Sequence, residues 1–402
     1  MMAGLLAAAP GARCGQAASA PAAPSTPAKA VAFTRLHASA QKILNAEGEE
    51  VRLRGVNLGG WLVKEGYIIH FPEPAYDSPS EIDQLVRDLA GPELGDQLLA
   101  EHREQWISEA DFAEIAALGF NSVRVPLHFG PLWDLAAEKP REDGLQFLDR
   151  IVGWSERYHL WLFPDLHCAP GGQNAGNISD SDGTARLYSD ARDQEATIRL
   201  WRTIAARYRD RDAIGGYDLL NEPVWSSGAD VADLYRRTAA AIREVDPRHL
   251  IVLEGNTWAT DFSMFGASAD GNLLYSFHKY WNATDEASIQ PFLLFASRVN
   301  APLWLGETGE NNTRWYQETL GLMKRHEIGW CFWPWKKIAT DNTPLSVQPA
   351  AGTFSRITEY LDNLGPRPTP EETAIGWREM LRAASADRCR RNADVIALLQ
   401  AN

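Results

Sequence analysis

Eight short apolar runs, separated by amphipathic helical stretches, constrain this chain more than any other feature of its sequence. They fall at 51–57, 122–127, 160–167, 216–221, 250–254, 273–280, 302–307 and 329–335. Each is apolar through its middle, the pattern of a strand buried on both faces of a parallel sheet. The stretches between them include 109–118, which ends at Gly119, and 194–208, 232–245 and 312–325, all with helical spacing of apolar residues. Eight such strands alternating with helices predict an α/β fold, a single (β/α)₈ TIM barrel. The segment 36–50 reads as an N-terminal β-hairpin closing the barrel bottom, and 369–399 as one or two appended helices. No repeat or second composition regime appears. The chain therefore divides into a leader at 1–31, one barrel domain at 32–365 and a C-terminal helical extension at 366–402 packed on the barrel.

The leader is rich in Ala, Pro and Ser, with a weak apolar core at 4–10. Its first positive side chain is Arg13, whereas export signals open on a positive region. A secreted or periplasmic location is nevertheless the expectation. With 45% hydrophobic and 23% charged residues, the 402-residue chain is neither disordered nor a membrane bundle, and no run approaches the length of a spanning helix. A net charge of −14 argues against nucleic acid as a partner. Four cysteines without a CxxC pair exclude a disulfide scaffold and structural zinc, and Cys168 and Cys331 read as buried thiols. Fifteen tryptophans are many. Indoles serve cores, and they also make flat walls on which sugar rings stack.

Barrel enzymes carry their chemistry where the strands end. Here the second run gives Arg124 and His128, and the third gives Asp165, His167 and Gln173. The fourth gives Asn221 and Glu222, and the sixth His278, Tyr280 and Trp281. The seventh gives Glu307 and Glu310, and the eighth Trp333 and Trp335. Singly, each reads as a solvated or structural residue. Together they would crowd one barrel mouth, and burying that many polar groups is costly unless they bind each other or a ligand.

Two of them carry a mechanism. Glu222 and Glu307 end opposing strands, and glycoside hydrolysis needs one carboxylic acid for the leaving oxygen and one carboxylate at the anomeric carbon. In that reading Glu222 is the acid/base and Glu307 the nucleophile. Asn221 bonds the sugar 2-hydroxyl, Tyr280 bonds Glu307, and Arg124 holds Glu307 ionised. Other chemistries lack their motifs: there is no HExxH, GxSxG, GKS/GKT or GxGxxG. Asp165, His167 and His278 are a conceivable metal set, but the first run, RGVNLGGW, lacks the HxH of barrel amidohydrolases. No metal and no cofactor are expected.

The segments RGVNLGGWL, NSVRVPL, DLHCAPGGQN, LLNEP, FHKYW, GETGEN and WCFWPWK occur in order with barrel spacing, and in this combination the chain resembles glycoside hydrolase family 5. The resemblance runs from Arg54 to Lys337 and implies a retaining O-glycosyl hydrolase of clan A with a TIM-barrel fold. The family's site residues map onto Arg124, His167, Asn221, Glu222, His278, Tyr280, Glu307 and Trp333. Trp335 is the alternative floor for the sugar subsite, two residues from Trp333 along one run. RGVNLGGWLVKEG and DLHCAPGGQN resemble the fungal exo-1,3-glucanase branch, which implies that Glu65 lines the glycone subsite. That branch usually has Pro after this Glu, and here Gly66 follows. The final strand and GETGENN look more like bacterial cellulases and glucanases.

A β-linked oligo- or polysaccharide is the expected substrate, β-glucans or β-glucosides first. A β-mannan, a glycolipid or a non-catalytic carbohydrate-binding scaffold are the alternatives, and endo and exo action stay open. The long insertion at 171–193 would wall off one end of a cleft or be a solvated loop. A monomer from a bacterial source is expected. Of the sequons at Asn177, Asn282 and Asn311, a glycan on Asn311 would obstruct the cleft.

Overall fold

The computed structural model describes residues 31–72, 75–349 and 352–402; the leader expected at 1–31 lies almost wholly outside them. Residues 32–402 form one compact unit. Its centre is a closed barrel of eight parallel strands: β1 Arg54–Asn57, β2 Ser122–His128, β3 Trp161–Cys168, β4 Gly216–Asp218, β5 Leu250–Glu254, β6 Leu273–Lys279, β7 Leu303–Gly309 and β8 Gly329–Trp333. They pair in sequence order around the ring, β8 closing onto β1 through Trp330 opposite Arg54. All eight apolar runs are barrel strands. Their observed bounds are tightest at β1 and β4, where pairing begins late or stops early.

The barrel interior is divided along its axis. Its lower half is apolar: Leu53, Phe163, Leu250, Val252, Leu274, Trp304 and Cys331 form one buried cluster. The Phe163 and Trp304 rings meet at 4.7 Å between centroids. A Cβ on Gly215 would come 2.5 Å from the Phe163 ring, so only glycine leaves that ring its space. The hairpin of His37–Ser39 and Lys42–Leu44 closes this end, contributing Ile43 to the cluster. The upper half is polar and holds the site.

Among the described residues, ten α-helices of nine or more residues surround the barrel or extend it: α1 Pro79–Ala90, α2 Pro92–Gln105, α3 Glu109–Ala117, α4 Glu142–Tyr158, α5 Ala191–Tyr208, α6 Gly228–Arg243, α7 Gln290–Val299, α8 Thr313–Arg325, α9 Thr353–Leu361 and α10 Pro370–Ala383; an eleventh, α11 Ala393–Ala401, ends the chain. Their starts are written in the sequence. Ser78 with Glu81, and Thr369 with Glu372, form capping boxes, each with proline in the first turn. The expected C-terminal helices are α10 and α11. α10 packs on α1, α2 and α9, and α11 packs on α8. No helix among the described residues is long and apolar enough to cross a membrane. Cys168, Cys331 and Cys389 are buried free thiols.

Most of the tryptophans serve packing. Trp61, Trp106, Trp201, Trp304, Trp330, Trp335 and Trp377 are fully buried. Trp335 corrects the sequence reading. Strand β8 ends at Trp333, so the two-residue alternation does not reach Trp335. Its indole turns outward instead, donating to Asp111 Oδ1 on α3 at 2.9 Å. Buried Lys336 lies 2.5 Å from the same carboxylate oxygen and donates to Ala384 O at 2.7 Å, tying the end of α10 to the barrel.

His102 on α2 is buried flat against Trp106, with Nε2 2.8 Å from Gly60 O. Burial, aided by Lys64, lowers its pKa from 6.5 to about 3. Between those values the unfolded chain binds a proton that the folded chain refuses, so stability falls as pH drops through this window. His102→Gln is expected to remove that contribution, about 1.4 kcal/mol per pH unit. Urea unfolding at a series of pH values checks this; parallel stability curves for the two proteins would refute it.

Candidate active site

The upper barrel is organised around Arg124, whose position on β2 points it into the barrel axis. Its guanidinium is fully buried. Nε donates to Asp218 Oδ2 at 2.7 Å, and Nη1 to Asn57 Oδ1 at 3.1 Å and Glu307 Oε1 at 2.5 Å. Nη2 donates to Asn221 Oδ1 at 2.8 Å and Glu254 Oε1 at 2.9 Å, and lies 3.1 Å from Asp165 Oδ2. One planar fork thus fixes side chains from five other strands, and Asn221 just after one of them, a geometry lysine cannot reproduce.

Glu222 follows β4 and Glu307 sits on β7. One carboxylate oxygen of each and a ring nitrogen of His278 all lie within 4.8 Å of one another. His278 stands between them: Nδ1 is 2.7 Å from Glu222 Oε1 and 3.4 Å from Glu307 Oε2, while Nε2 is 3.1 Å from Glu254 Oε1. Burial alone would lower the pKa of this imidazole, but the charges of Glu254 and Glu307 and its hydrogen bonds hold it well above the ordinary histidine value. Its two nitrogens thus lie between carboxylates on both sides. Its nitrogens face protein acceptors, so these three groups are poorly disposed to ligate a metal.

Both oxygens of Glu307 have donors, Arg124 on one and the Tyr280 hydroxyl, at 2.9 Å, on the other. The sequence reading had Arg124 keeping Glu307 ionised. Burial is the larger effect: it raises the Glu307 pKa, with help from Glu222, against the opposing pull of His278 and Arg124. Two local features aim this carboxylate. The β6–β7 register shifts at Phe277/His278, bringing His278 opposite Glu307. The preceding Gly306 has no room for a side chain, since a Cβ there would come 2.1 Å from Ser276 Oγ.

Glu222 has φ +46°, a left-handed backbone unusual for a residue with a Cβ. Its N–H is held by Glu254 Oε2 at 2.7 Å. His167 is oriented by Asp165, with Nδ1 2.7 Å from Oδ2, and its ring stacks on Trp333 at 5.5 Å and 4°. Trp333 donates from Nε1 to the Tyr67 hydroxyl at 2.6 Å.

Above this network opens a pocket of about 610 Å³. Its walls include Glu65, Tyr67, Glu222, Glu307, Trp258 and Trp281. Glu65 is buried with Oε1 unpartnered, and burial together with Glu307 raises its pKa well above the carboxylate range. His167, His278, Tyr280 and Trp333 also line it. Arg124 and Asn221 lie beneath the floor, Asn221 Nδ2 being 3.3 Å from His167 Nε2. Of the named strand-end residues, His128 pairs instead with Asp180, and Gln173 braces the backbone of His167 and Asn221.

Sequence reasoning missed Asn57, Asp218, Glu254, Tyr67 and Trp258. Three had a signal. Asp218 is an acid inside a run read as buried, and Asn57 and Glu254 are the polar ends of the first and fifth runs. Tyr67 and Trp258 sit in irregular segments where no periodicity points.

Comparison with known proteins agrees with this geometry. Residues 92–338 match the family model described as Cellulase (glycosyl hydrolase family 5). A β-xylosidase of Phanerodontia chrysosporium is 33% identical over 262 residues, 64% of this chain and 54% of that protein. A probable glucan 1,3-beta-glucosidase A of Emericella nidulans is 32% identical over 235 residues, 57% of each chain. The chain thus spans a little over half the length of these relatives. Among solved structures, an endogalactoceramidase superposes with a TM-score of 0.59 at 18% identity, covering 86% of this chain and 84% of its own, a likeness of fold. A match across more than half the chain, on a barrel carrying paired glutamates at its mouth, places this protein in the cellulase family, glycosyl hydrolase family 5.

Proposed function

We propose that this protein is a retaining β-glycosidase that removes single sugars from the ends of β-glucans or from β-glucosides. The observation that carries the reading is the close pairing of Glu222 and Glu307, with carboxylate oxygens within 4.8 Å across the barrel mouth. Retaining enzymes hold their carboxyl groups about 5–5.5 Å apart, whereas inverting enzymes leave room for a water between them.

In the first step the Glu307 carboxylate attacks the anomeric carbon, the glycosidic C–O bond breaks, and protonated Glu222 gives its proton to the departing oxygen. In the second, Glu222 as carboxylate takes a proton from water, whose oxygen attacks the anomeric carbon and releases Glu307. Arg124 and Tyr280 hold both oxygens of Glu307 for that attack. Only water is consumed, so the residues present suffice. Trp333, stacked on His167, offers a flat face to the sugar, and the unpartnered Glu65 carboxyl offers it a hydrogen bond.

Exo action is supported by the insertion at 171–193. Asn177 and Ile178 from this loop line the pocket. The loop is fastened across the mouth by Asp180 Oδ1, which accepts from Ser80 N at 2.9 Å and Ser80 Oγ at 2.6 Å at the start of α1, while Oδ2 meets His128 Nε2 at 2.9 Å. Burial would raise the Asp180 pKa, but His128 and Ser80 hold it down to about 2.

Product analysis on laminarin, lichenan, carboxymethyl-cellulose, mannan and aryl β-glucoside and β-xyloside tests the reading. Glucose alone from laminarin and the aryl glucoside is the expected result, with Asp180→Ala adding oligomeric products. Mixed oligomers from the unaltered enzyme would overturn exo action. Preference for the xyloside or mannan would overturn the sugar assignment, and silence on every substrate would overturn catalysis.

A further inference from the structure

We propose that Trp258 and Trp281 form a slot for the leaving group, one that selects a flat apolar aglycone, an aromatic alcohol above all. The inference rests on the glycosidase reading and adds to it the class of group that departs.

Six large hydrophobic side chains are exposed among the described residues, and the two aromatic ones are Trp258 and Trp281, at 42% and 72%. Both line the catalytic pocket. Exposed indoles at a pocket mouth mark a binding surface, since each keeps apolar area in water that an occupant would cover.

The backbone places Trp258 on the leaving-group side. Its N–H reaches Pro223 O at 3.4 Å, the residue directly after Glu222. Glu222 is the group that protonates the departing oxygen, so what is strapped beside it borders the aglycone. This placement is costly for the chain. Thr257, Trp258 and Ala259 have successive φ values of +56°, +60° and +58°, none of them a glycine. Left-handed conformations are disfavoured for residues with a Cβ and persist where the surroundings enforce them, often at ligand clamps. The indole is also backed by the 171–193 loop: a Cβ on Gly176 would come 3.1 Å from Trp258 Cη2. Trp281 is fixed independently. Its ring packs on Tyr280 at 5.2 Å, and Nε1 donates to Glu310 O at 2.7 Å.

The chemistry of the slot favours an aromatic over a second sugar. A sugar needs hydrogen-bond partners for its hydroxyls, and three of the polar groups beside the indoles are already engaged, with Glu310 Oε1 left as a buried acceptor. Thr260 Oγ1 donates to Thr257 O at 2.5 Å, Asn282 Oδ1 accepts from Lys279 Nζ, and the Trp281 N–H is taken by Glu310. The two indole faces are the larger part of the surface the slot offers and are suited to stacking.

The test compares phenyl and methyl β-glucosides with the unaltered enzyme, Trp258→Ala, Trp281→Ala and Trp258→Phe. Trp258→Ala is expected to lower the phenyl-to-methyl ratio of kcat/KM about ten-fold, the worth of one aromatic stacking contact; Trp258→Phe should recover most of it. In parallel, the glycosyl-enzyme is offered 2-phenylethanol or glucose as acceptor in place of water. Transfer to 2-phenylethanol should dominate and fall in both alanine variants. An unchanged ratio, an equal loss on both substrates, or preferred transfer to glucose would overturn the slot. If the unaltered enzyme turns over no glucoside, the glycosidase reading fails first. Quenching of indole fluorescence by phenyl β-glucoside then still reads the slot: quenching lost in Trp258→Ala supports it, and identical titrations refute it.

Discussion

Glu307→Ala is expected to abolish turnover, lowering kcat by at least about 10⁴-fold, the scale on which losing a covalent nucleophile acts. In the proposed mechanism no glycosyl-enzyme forms without its carboxylate, and Arg124 and Tyr280 are left aimed at an empty position. Glu222→Ala should cost less, about 10²–10⁴-fold, because its proposed part is proton transfer. The cost should also depend on the substrate: an aryl glucoside with an acidic phenol leaves with little help in the first step. Added azide separates the two roles by stereochemistry. In Glu222→Ala it attacks the intact glycosyl-enzyme and gives a β-glycosyl azide. In Glu307→Ala it takes the place of the nucleophile and gives the α-azide. Near-native turnover in either variant, or the reverse azide products, would sink the assignment. Because burial raises Glu307 and the attack needs it ionised, the acid limb of kcat/KM should lie above the ordinary glutamate value.

The largest effect on stability is expected at Arg124. The pairing of one guanidinium with Asp165, Asp218, Glu254 and Glu307 is fully buried on the arginine side. Arg124→Leu leaves those carboxylates facing one another without their shared cation, and breaking a buried pair from one side costs about 3–5 kcal/mol. Part of that cost is already hidden in the native state, where burial and Glu254 raise the Asp218 pKa well above normal. The deficit should therefore be largest near neutral pH and shrink in acid, as the remaining carboxylates take up protons. Arg124→Lys should recover little, since a single ammonium cannot meet four acids and two amides at once. Urea unfolding of the three proteins at pH 7 and pH 5 checks this. A Leu variant within 1 kcal/mol of the unaltered protein would show that the network contributes activity alone.

What the sequence by itself determined was the barrel and much of its mouth. The eight strand runs were legible because a parallel strand buried on both faces must be apolar along its middle, which leaves its polar end conspicuous. That is why Arg124, His167, Glu222, His278, Tyr280 and Glu307 could be named without coordinates, each being an ionisable or hydrogen-bonding side chain at the end of such a run. Trp335 misled because the two-residue alternation used to place it presumes a strand that continues, and β8 stops at Trp333. The tertiary structure alone decided how the named residues are joined. Asp218 and Glu254 became partners of Arg124 only when strands distant in sequence closed into a ring. Tyr67 and Trp258 reached the pocket along irregular segments, whose paths depend on what they pack against and not on a repeating pattern. Strand identity is a local property of side-chain hydropathy, so one dimension records it; a carboxylate's charge state and an indole's exposure depend on neighbours hundreds of residues away, and only the folded chain brings those together.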